Sequence, residues 1–262
     1  MTTDTTTNRP TRNDQPVVSL RSIAVAFGGL LALEGIDLEV GHGERLAVLG
    51  PNGAGKTTLF NVIAGDIVPT RGTVVLQGRD CTMSPSRMRP GLGVARTYQK
   101  TRLFNDLTVE DNLYLSQTGK QRRHLSWWRG RRDAELRDGA RAIARRVWLA
   151  PFVDTKVADL SHGQRRQLEI GMALASDPEI MLLDEPASGL SRGERERLVE
   201  LIEQLEPELT LLLIEHDMDV ALRVADRVVV MADGVLVAGG TPDEIRHDPL
   251  VHEIYLGREG DS

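Results

Sequence analysis

The run Gly50-Pro51-Asn52-Gly53-Ala54-Gly55-Lys56-Thr57-Thr58 is made of residue types that handle phosphate. Its glycines let the backbone wrap closely, so that consecutive N–H groups point at phosphate oxygens. Lys56 can place its ammonium on the β- and γ-phosphates of a nucleotide, and the Thr57 hydroxyl can hold Mg²⁺. Two further clusters suit the same chemistry. Asp184 and Glu185 follow an apolar run; the first can coordinate Mg²⁺, usually through water, and the second is placed to orient or deprotonate an attacking water. His216 follows another apolar run, where a histidine on its own would be read as structural.

These side chains need elements to position them. Leu46-Ala47-Val48-Leu49 predicts a strand before the glycine loop, and Leu59, Phe60 and Ile63 share one face of a helix after it. Strand, glycine loop and helix is the context that the phosphate-loop pattern requires. A helix starting near Gly55 adds the positive end of its dipole. Ile180-Met181-Leu182-Leu183 is wholly apolar, as expected of a buried parallel strand. Acids at the C-terminal end of such a strand lie in the crevice where open α/β sheets bind ligands. Thr210 to Ile214 reads as another buried strand, which brings His216 to the same sheet edge as Asp184 and Glu185. In Leu160-Ser161-His162-Gly163-Gln164, Ser161 and Gln164 have capping-box spacing, and Leu168, Gly171, Met172 and Ala175 mark the buried face of the helix that follows. Ser161 and the helix-start N–H groups make either a second anion site or an ordinary cap.

The rest of the chain supplies the scaffold. Val17 to Val25 and Ile36 to Val40 predict strands on either side of Ala26-Phe27-Gly28-Gly29, in which Phe27 is either a nucleobase platform or a core residue. Gly72 to Leu76 predicts a strand, and Val94 to Gln99 a strand ending in a polar residue. Thr108 to Asp111 fits a helix start before Leu113 and Leu115. Leu198, Leu201, Ile202 and Leu205 define a helix. Val228 to Met231 and Val235 to Val237 flank Ala232-Asp233-Gly234, a hairpin signal. Thr241-Pro242-Asp243-Glu244 is a strong helix start. From Gln121 to Arg146 nine arginines cluster beside Trp127 and Trp128. Leu136, Ala140, Ile143 and Val147 keep helical spacing, so the arginines after Asp133 mostly fall on a solvated face. We read this stretch as a helical insertion with a membrane- or partner-facing surface rather than a nucleic-acid patch.

Composition narrows the classes. The chain has 262 residues and a formal charge of −6, which argues against a protein that coats nucleic acid. A single cysteine, Cys81, excludes an internal disulfide and fits a reducing compartment. No apolar run approaches the length of a membrane span. Residues 1–16 are Thr-rich without an apolar core and are expected to form a disordered tail rather than a signal peptide. The expected location is therefore the cytosol.

The order Gly50–Thr58, Gln99, Leu160–Gln164, Ile180–Glu185 and His216 resembles the ATP-binding cassette (ABC) ATPases. The resemblance implies an α/β fold: a P-loop NTPase (RecA-like) core with an N-terminal antiparallel β subdomain and a helical insertion subdomain. It implies a cassette over residues 17–246, its helical part at about 100–165, and a C-terminal extension over 247–262. The matching positions are the phosphate loop, the Q-loop glutamine, the signature motif, the Mg²⁺ aspartate with its catalytic glutamate, and the switch histidine. Glu185, His216, Lys56 and Gln99 are then the catalytic set, and Thr57, Gln99 and Asp184 the metal set. ATP would be held by Gly50 through Thr58, by Phe27 stacked on adenine, and by Ser161, Gly163 and Gln164 of a second cassette, the same or a homologous chain. A finer likeness joins Ala95 to Gln99, Leu103-Phe104, Leu107 to Leu113, Leu213 to Met218 and Ile254 to Gly257 to the cassettes of branched-chain amino-acid and urea importers. It implies transmembrane permease subunits as partners at the cytoplasmic membrane face, a periplasmic or extracellular solute-binding protein acting indirectly, and no nucleic acid. Two alternatives are a lipopolysaccharide-type export cassette and a soluble cassette ATPase of iron–sulfur assembly. His162 stands in place of the usual signature glycine, which an outward-pointing side chain would allow, and Ser191 in place of a common Asp or Asn.

Overall fold

Two sheets organise a computed structural model that describes residues 15–97, 103–118 and 129–256. Strands β1 (Val18–Phe27), β2 (Leu30–Val40), β4 (Arg71–Leu76) and β5 (Arg79–Asp80) form an antiparallel sheet in the order β2-β1-β4-β5. Strands β3 (Arg45–Leu49), β6 (Val94–Arg96), β7 (Ile180–Asp184), β8 (Thr210–Ile214), β9 (Arg227–Ala232) and β10 (Val235–Gly240) form a second sheet in the order β10-β9-β3-β8-β7-β6. It is parallel except for the edge strand β10.

The apolar runs explain the second sheet. Their residues divide between two cores: Ala47, Leu49, Met181, Leu183, Leu211 and Leu213 face one, and Leu46, Val48, Ile180, Leu182, Leu212 and Ile214 face the other. A strand covered on both faces has no reason to alternate with polar residues. Helix α1 (Lys56–Ala64) fills the core shared with the antiparallel sheet through Leu59, Phe60 and Ile63, all fully buried. On the other face lie α2 (Val109–Thr118), α3 (Arg129–Arg146), α4 (His162–Leu174), α5 (Arg192–Glu203), α6 (Met218–Val224), α7 (Pro242–His247) and α8 (Pro249–Leu256).

The N-terminal strands are longer than the alternation suggests. Strand β1 runs through Phe27 and β2 begins at Leu30, so the connection shrinks to a tight turn at Gly28-Gly29, with φ of +59° at Gly28. The pattern is obscured because Leu30 and Leu31 are exposed apolar residues and the register shifts along the β1–β2 pair. Helices α2, α3 and α4 pack on one another, and residue 165 falls inside α4. The arginine-rich helix has a specific task here. Glu110 of α2 is 4 % exposed, and Arg137 and Arg141 of α3 reach it at 3.1 and 3.0 Å. A carboxylate so removed from water requires such partners. Ala140, Ile143 and Val147 are buried, while Arg145 and Arg146 are exposed. Gln99, Tyr98, Trp127, Trp128, Gly257 and the tail over residues 1–14 lie outside the described residues.

Candidate functional site

Strand register brings the candidate residues to one edge. Val48 of β3 pairs with Ile214 of β8, and Ile214 pairs with Asp184 of β7. The glycine loop, the Asp184-Glu185 pair and the Glu215-His216 pair therefore leave the sheet side by side at its C-terminal end, where parallel sheets bind ligands. The chain reaches β9 by crossing to the other side of β3, which opens the crevice at that strand.

The glycine loop is held against backbone. A Cβ at Gly50, whose φ is +146°, would meet the Met231 carbonyl oxygen at 2.2 Å. One at Gly55, φ +97°, would meet that of Ala32 at 2.8 Å. Gly55 is the N-cap of α1 and supplies no side chain, so the first N–H groups of the helix remain available to an anion. Lys56 folds back over the loop and donates to the carbonyls of Gly50 and Pro51, at 2.5 and 2.9 Å. Burial lowers its pKa, opposed by the nearby charges of Glu185 and Asp184. An open cleft of about 470 Å³ runs along the loop. Its polar end carries Asn52 through Thr58 and Glu185; its apolar wall is Phe27, Leu30 and Leu31. Phe27 is 51 % exposed on that wall and is not a core residue.

Asp184 is 1 % exposed. Its Oδ2 accepts from Arg96 Nη2 at 2.9 Å, and Arg96 Nη1 reaches Asn61 and Asp66 at 2.7 and 3.1 Å. Its Oδ1 is buried with no partner. A buried carboxylate oxygen left unpaired at the mouth of a phosphate loop fits a cation ligand. Among the described residues no group of three or more His, Cys, Asp or Glu gathers. An ion here would thus depend on Asp184, a threonine hydroxyl and the ligand's own oxygens, which is how Mg²⁺ is usually bound.

Glu185 adopts a left-handed backbone, φ +45°, which is rare for a residue with a side chain. Arg166 of α4 maintains that bend. Its Nη2 donates to the carbonyls of Asp184 and Glu185, both at 2.7 Å, and its Nε to that of Pro186 at 2.9 Å, while Nη1 pairs with Glu169. The neighbouring strand ends in Glu215, fully buried, with Oε1 on the Ala187 amide and a pKa raised by burial. The His216 ring is exposed, with Nδ1 3.9 Å from Glu215 Oε2.

The signature stretch forms a capping box: the Ser161 hydroxyl accepts from the Gln164 amide, and Gln164 Oε1 accepts from the Ser161 amide. The Gln164 side chain is thereby committed to the cap. Ser161 is a helix cap, and its hydroxyl and the Gly163 amide also meet an acid of the same chain. Glu194 Oε1 accepts from the Ser161 hydroxyl at 3.2 Å and from the Gly163 amide at 3.0 Å. Its Oε2 accepts from the Ser191 hydroxyl and amide, closing a second capping box on α5. The Ser191 hydroxyl, then the Gly163 and Ser191 amides, hold the Glu194 carboxyl down at about 2. His162 is exposed, as its replacement of glycine requires.

Sequence reasoning missed Arg96, Arg166, Glu194 and also Tyr255, whose hydroxyl accepts from the Gly50 amide at 3.0 Å. All four act on partners distant in the chain. Only the Ser191-to-Glu194 spacing carried a local signal.

Comparison with known proteins follows this geometry. A family model described as "ABC transporter" matches residues 33–188, and one described as "Branched-chain amino acid ATP-binding cassette transporter" matches residues 235–261. The chain is 38% identical over 253 residues to the high-affinity branched-chain amino acid transport ATP-binding protein LivG of Salmonella typhimurium, covering 93% of this chain and 98% of the relative. Its fold is similar to the ADP conformation of MJ1267, an ATP-binding cassette of an ABC transporter, with a TM-score of 0.82 and 29% identity over 93% of this chain and 100% of that one. It also resembles MJ0796, a cassette seen as a dimer bound to ADP and Pi after hydrolysis, with a TM-score of 0.72 and 26% identity over 86% of this chain and 98% of that one.

Proposed function

The chain belongs to the ABC transporter family of ATP-hydrolysing cassettes, and from that premise we propose that it is the ATPase subunit of an importer of branched-chain amino acids or a related small polar solute. The observation that carries the ATPase chemistry is the convergence of the glycine loop, Asp184 and Glu185 on one sheet edge beside an aromatic-walled cleft. The solute class rests on the likeness to LivG and on the C-terminal match at residues 235–261.

ATP lies along the cleft with its base against Phe27 and its phosphates in the N–H groups of Gly50 to Thr58. Thr57 and Asp184, with Gln99 by the family resemblance, would hold Mg²⁺, which when bound would neutralise charge on the phosphates. Lys56 exchanges its loop carbonyls for phosphate oxygens. Glu185 accepts a proton from the attacking water, and His216, from the adjoining strand, orients the γ-phosphate. Little covalent help is needed for phosphoryl transfer; position and charge do the work. The site is completed by Ser161 and Gly163 of a second cassette. In the isolated chain these donors hold Glu194, so closure exchanges a carboxylate for the γ-phosphate.

Among the described residues no helix is long and apolar enough to cross a membrane, so work on a membrane passes through permease subunits. A groove of about 560 Å³ lined in part by Leu103, Met172 and Ala173 lies beside the exposed Phe104 and Met88 and offers such a partner apolar surface. A periplasmic or extracellular binding protein would act through the permease. The protein then sits on the cytoplasmic membrane face.

The test is reconstitution of the chain with permease subunits of a branched-chain amino-acid importer, followed by uptake of labelled leucine. ATP-dependent uptake, abolished by Glu185→Gln, is expected. A chain that purifies without a membrane partner, with full ATPase activity and no effect on uptake, contradicts the reading.

A further inference from the structure

We infer that Tyr255, in the last helix, is a positioning residue for the phosphate loop: its hydroxyl fixes the Gly50 peptide from behind and sets the geometry in which the loop takes nucleotide. This rests on the phosphate-loop reading above.

The Gly50 amide is buried at the point where β3 gives way to the loop, and Tyr255 Oη is its acceptor at 3.0 Å, across 205 residues of sequence. The other face of the same residue is engaged by Lys56, whose Nζ donates to the Gly50 carbonyl. Gly50 is thus pinned at both ends, by the tyrosine at its N–H and by the catalytic lysine at its C=O. Its φ of +146° and the closeness of the Met231 carbonyl leave no space for a side chain at this position.

The tyrosine is itself well anchored. Val251 is fully buried, and Ile254 and Tyr255 pack against the core beneath the helical layer. Asp248 Oδ1 accepts from the amides of Leu250 and Val251 and starts the helix. Tyr255 does not line the nucleotide cleft, so it touches neither substrate nor reacting atoms. Burial raises the phenol's pKa, which keeps the oxygen neutral and able to serve as an acceptor that brings no charge near the phosphates.

The physical consequence follows from the N–H. Remove the oxygen and a buried donor loses its acceptor, which is costly in a peptide that cannot reach water. The loop escapes by turning the Gly50 peptide, and the turned loop is no longer the cradle. Nucleotide must then rebuild it, so the loss appears in binding rather than in chemistry at saturation.

The experiment uses the full chain and measures MgATP binding by titration, with ATPase activity in the reconstituted transporter. Tyr255→Phe should weaken MgATP binding about tenfold and raise KM while leaving kcat at saturating ATP close to wild type. Ile254→Val trims the same helix without touching the loop; it should lower Tm and leave affinity unchanged. Wild-type affinity in Tyr255→Phe overturns the proposal, and so does an equal loss of affinity in Ile254→Val. Lys56→Ala separates the two levels. If it too binds MgATP normally, the phosphate-loop reading has failed; if it alone loses binding, only the role of Tyr255 has failed. Should Tyr255→Phe not fold, hydrogen exchange at the Gly50 amide of the wild-type chain decides. Strong protection supports the proposal, and exchange at the rate of an open loop overturns it.

Discussion

Glu185 carries the sharpest consequence at the scale of single residues. Glutamine in its place keeps the shape and removes the base, so Glu185→Gln should retain ATP binding and lose steady turnover by ~10²–10⁴, the usual contribution of a positioned base. Turnover at the wild-type rate, measured by phosphate release, would sink the assignment. Lys56→Ala removes the cation without a substitute and should fail earlier, at binding; equal ATP affinity in the two variants would displace Lys56 from the β- and γ-phosphates. Glu194 offers a test by pH. Its carboxyl is held at about 2 against an ordinary 4.5, so the native state favours the charged form. The stabilisation it brings is complete above pH 4.5 and is lost as pH falls from there through 2. An NMR titration of Glu194 should show the low midpoint, and Glu194→Gln should flatten the acid limb of the stability curve over that range. A midpoint near 4.5 would show that the Ser191 hydroxyl and the Gly163 and Ser191 amides do not hold it. The residues that sequence could name were those with local rules: glycines before a lysine, acids after an apolar run, a serine three places before a glutamine. Arg96, Arg166 and Tyr255 are legible only in space, because an arginine gives no sign of which carbonyls it will meet.

At the scale of elements, the site depends on α4. It carries Ser161 at its N-terminus and, one turn on, the arginine that grips the backbone of Asp184, Glu185 and Pro186. The helix that begins at Ser161 is thus tied to the backbone of Glu185. Arg166→Gln strands several carbonyls and the Glu169 carboxylate. It should cost about 1–3 kcal/mol in denaturant unfolding and depress ATPase activity more than nucleotide affinity. A variant of unchanged stability and kcat would reduce Arg166 to a bystander. Most of these elements could be read from the chain. The apolar strands, the capping boxes at Ser161 and Thr241, and the Asp233-Gly234 hairpin all follow short-range rules. The first half of β2 could not, since Leu30 and Leu31 face outward as a cleft wall where a pattern-based reading looks for burial. The arginines of α3 do lie mostly on a solvated face, as their spacing indicates; what the spacing does not show is that two of them pair with the buried Glu110.

At the scale of the whole molecule, one chain carries the glycine loop and, at the start of α4, donors that its own Glu194 engages. The central claim is that each nucleotide is held by Lys56 of one subunit and Ser161 of the other. Lys56→Ala disables the first half-site. Ser161→Arg fills the second with a long side chain and a misplaced charge. Either variant alone leaves every site of a symmetric pair defective. A mixed pair concentrates both defects in one site and leaves the other whole. The decisive measurement is the ATPase rate of permease-bound pairs assembled from one Lys56→Ala and one Ser161→Arg subunit, with the pairing verified by mass. Activity restored well above that of either pure variant is the expected result. A mixed pair as inactive as its parents would contradict the shared site.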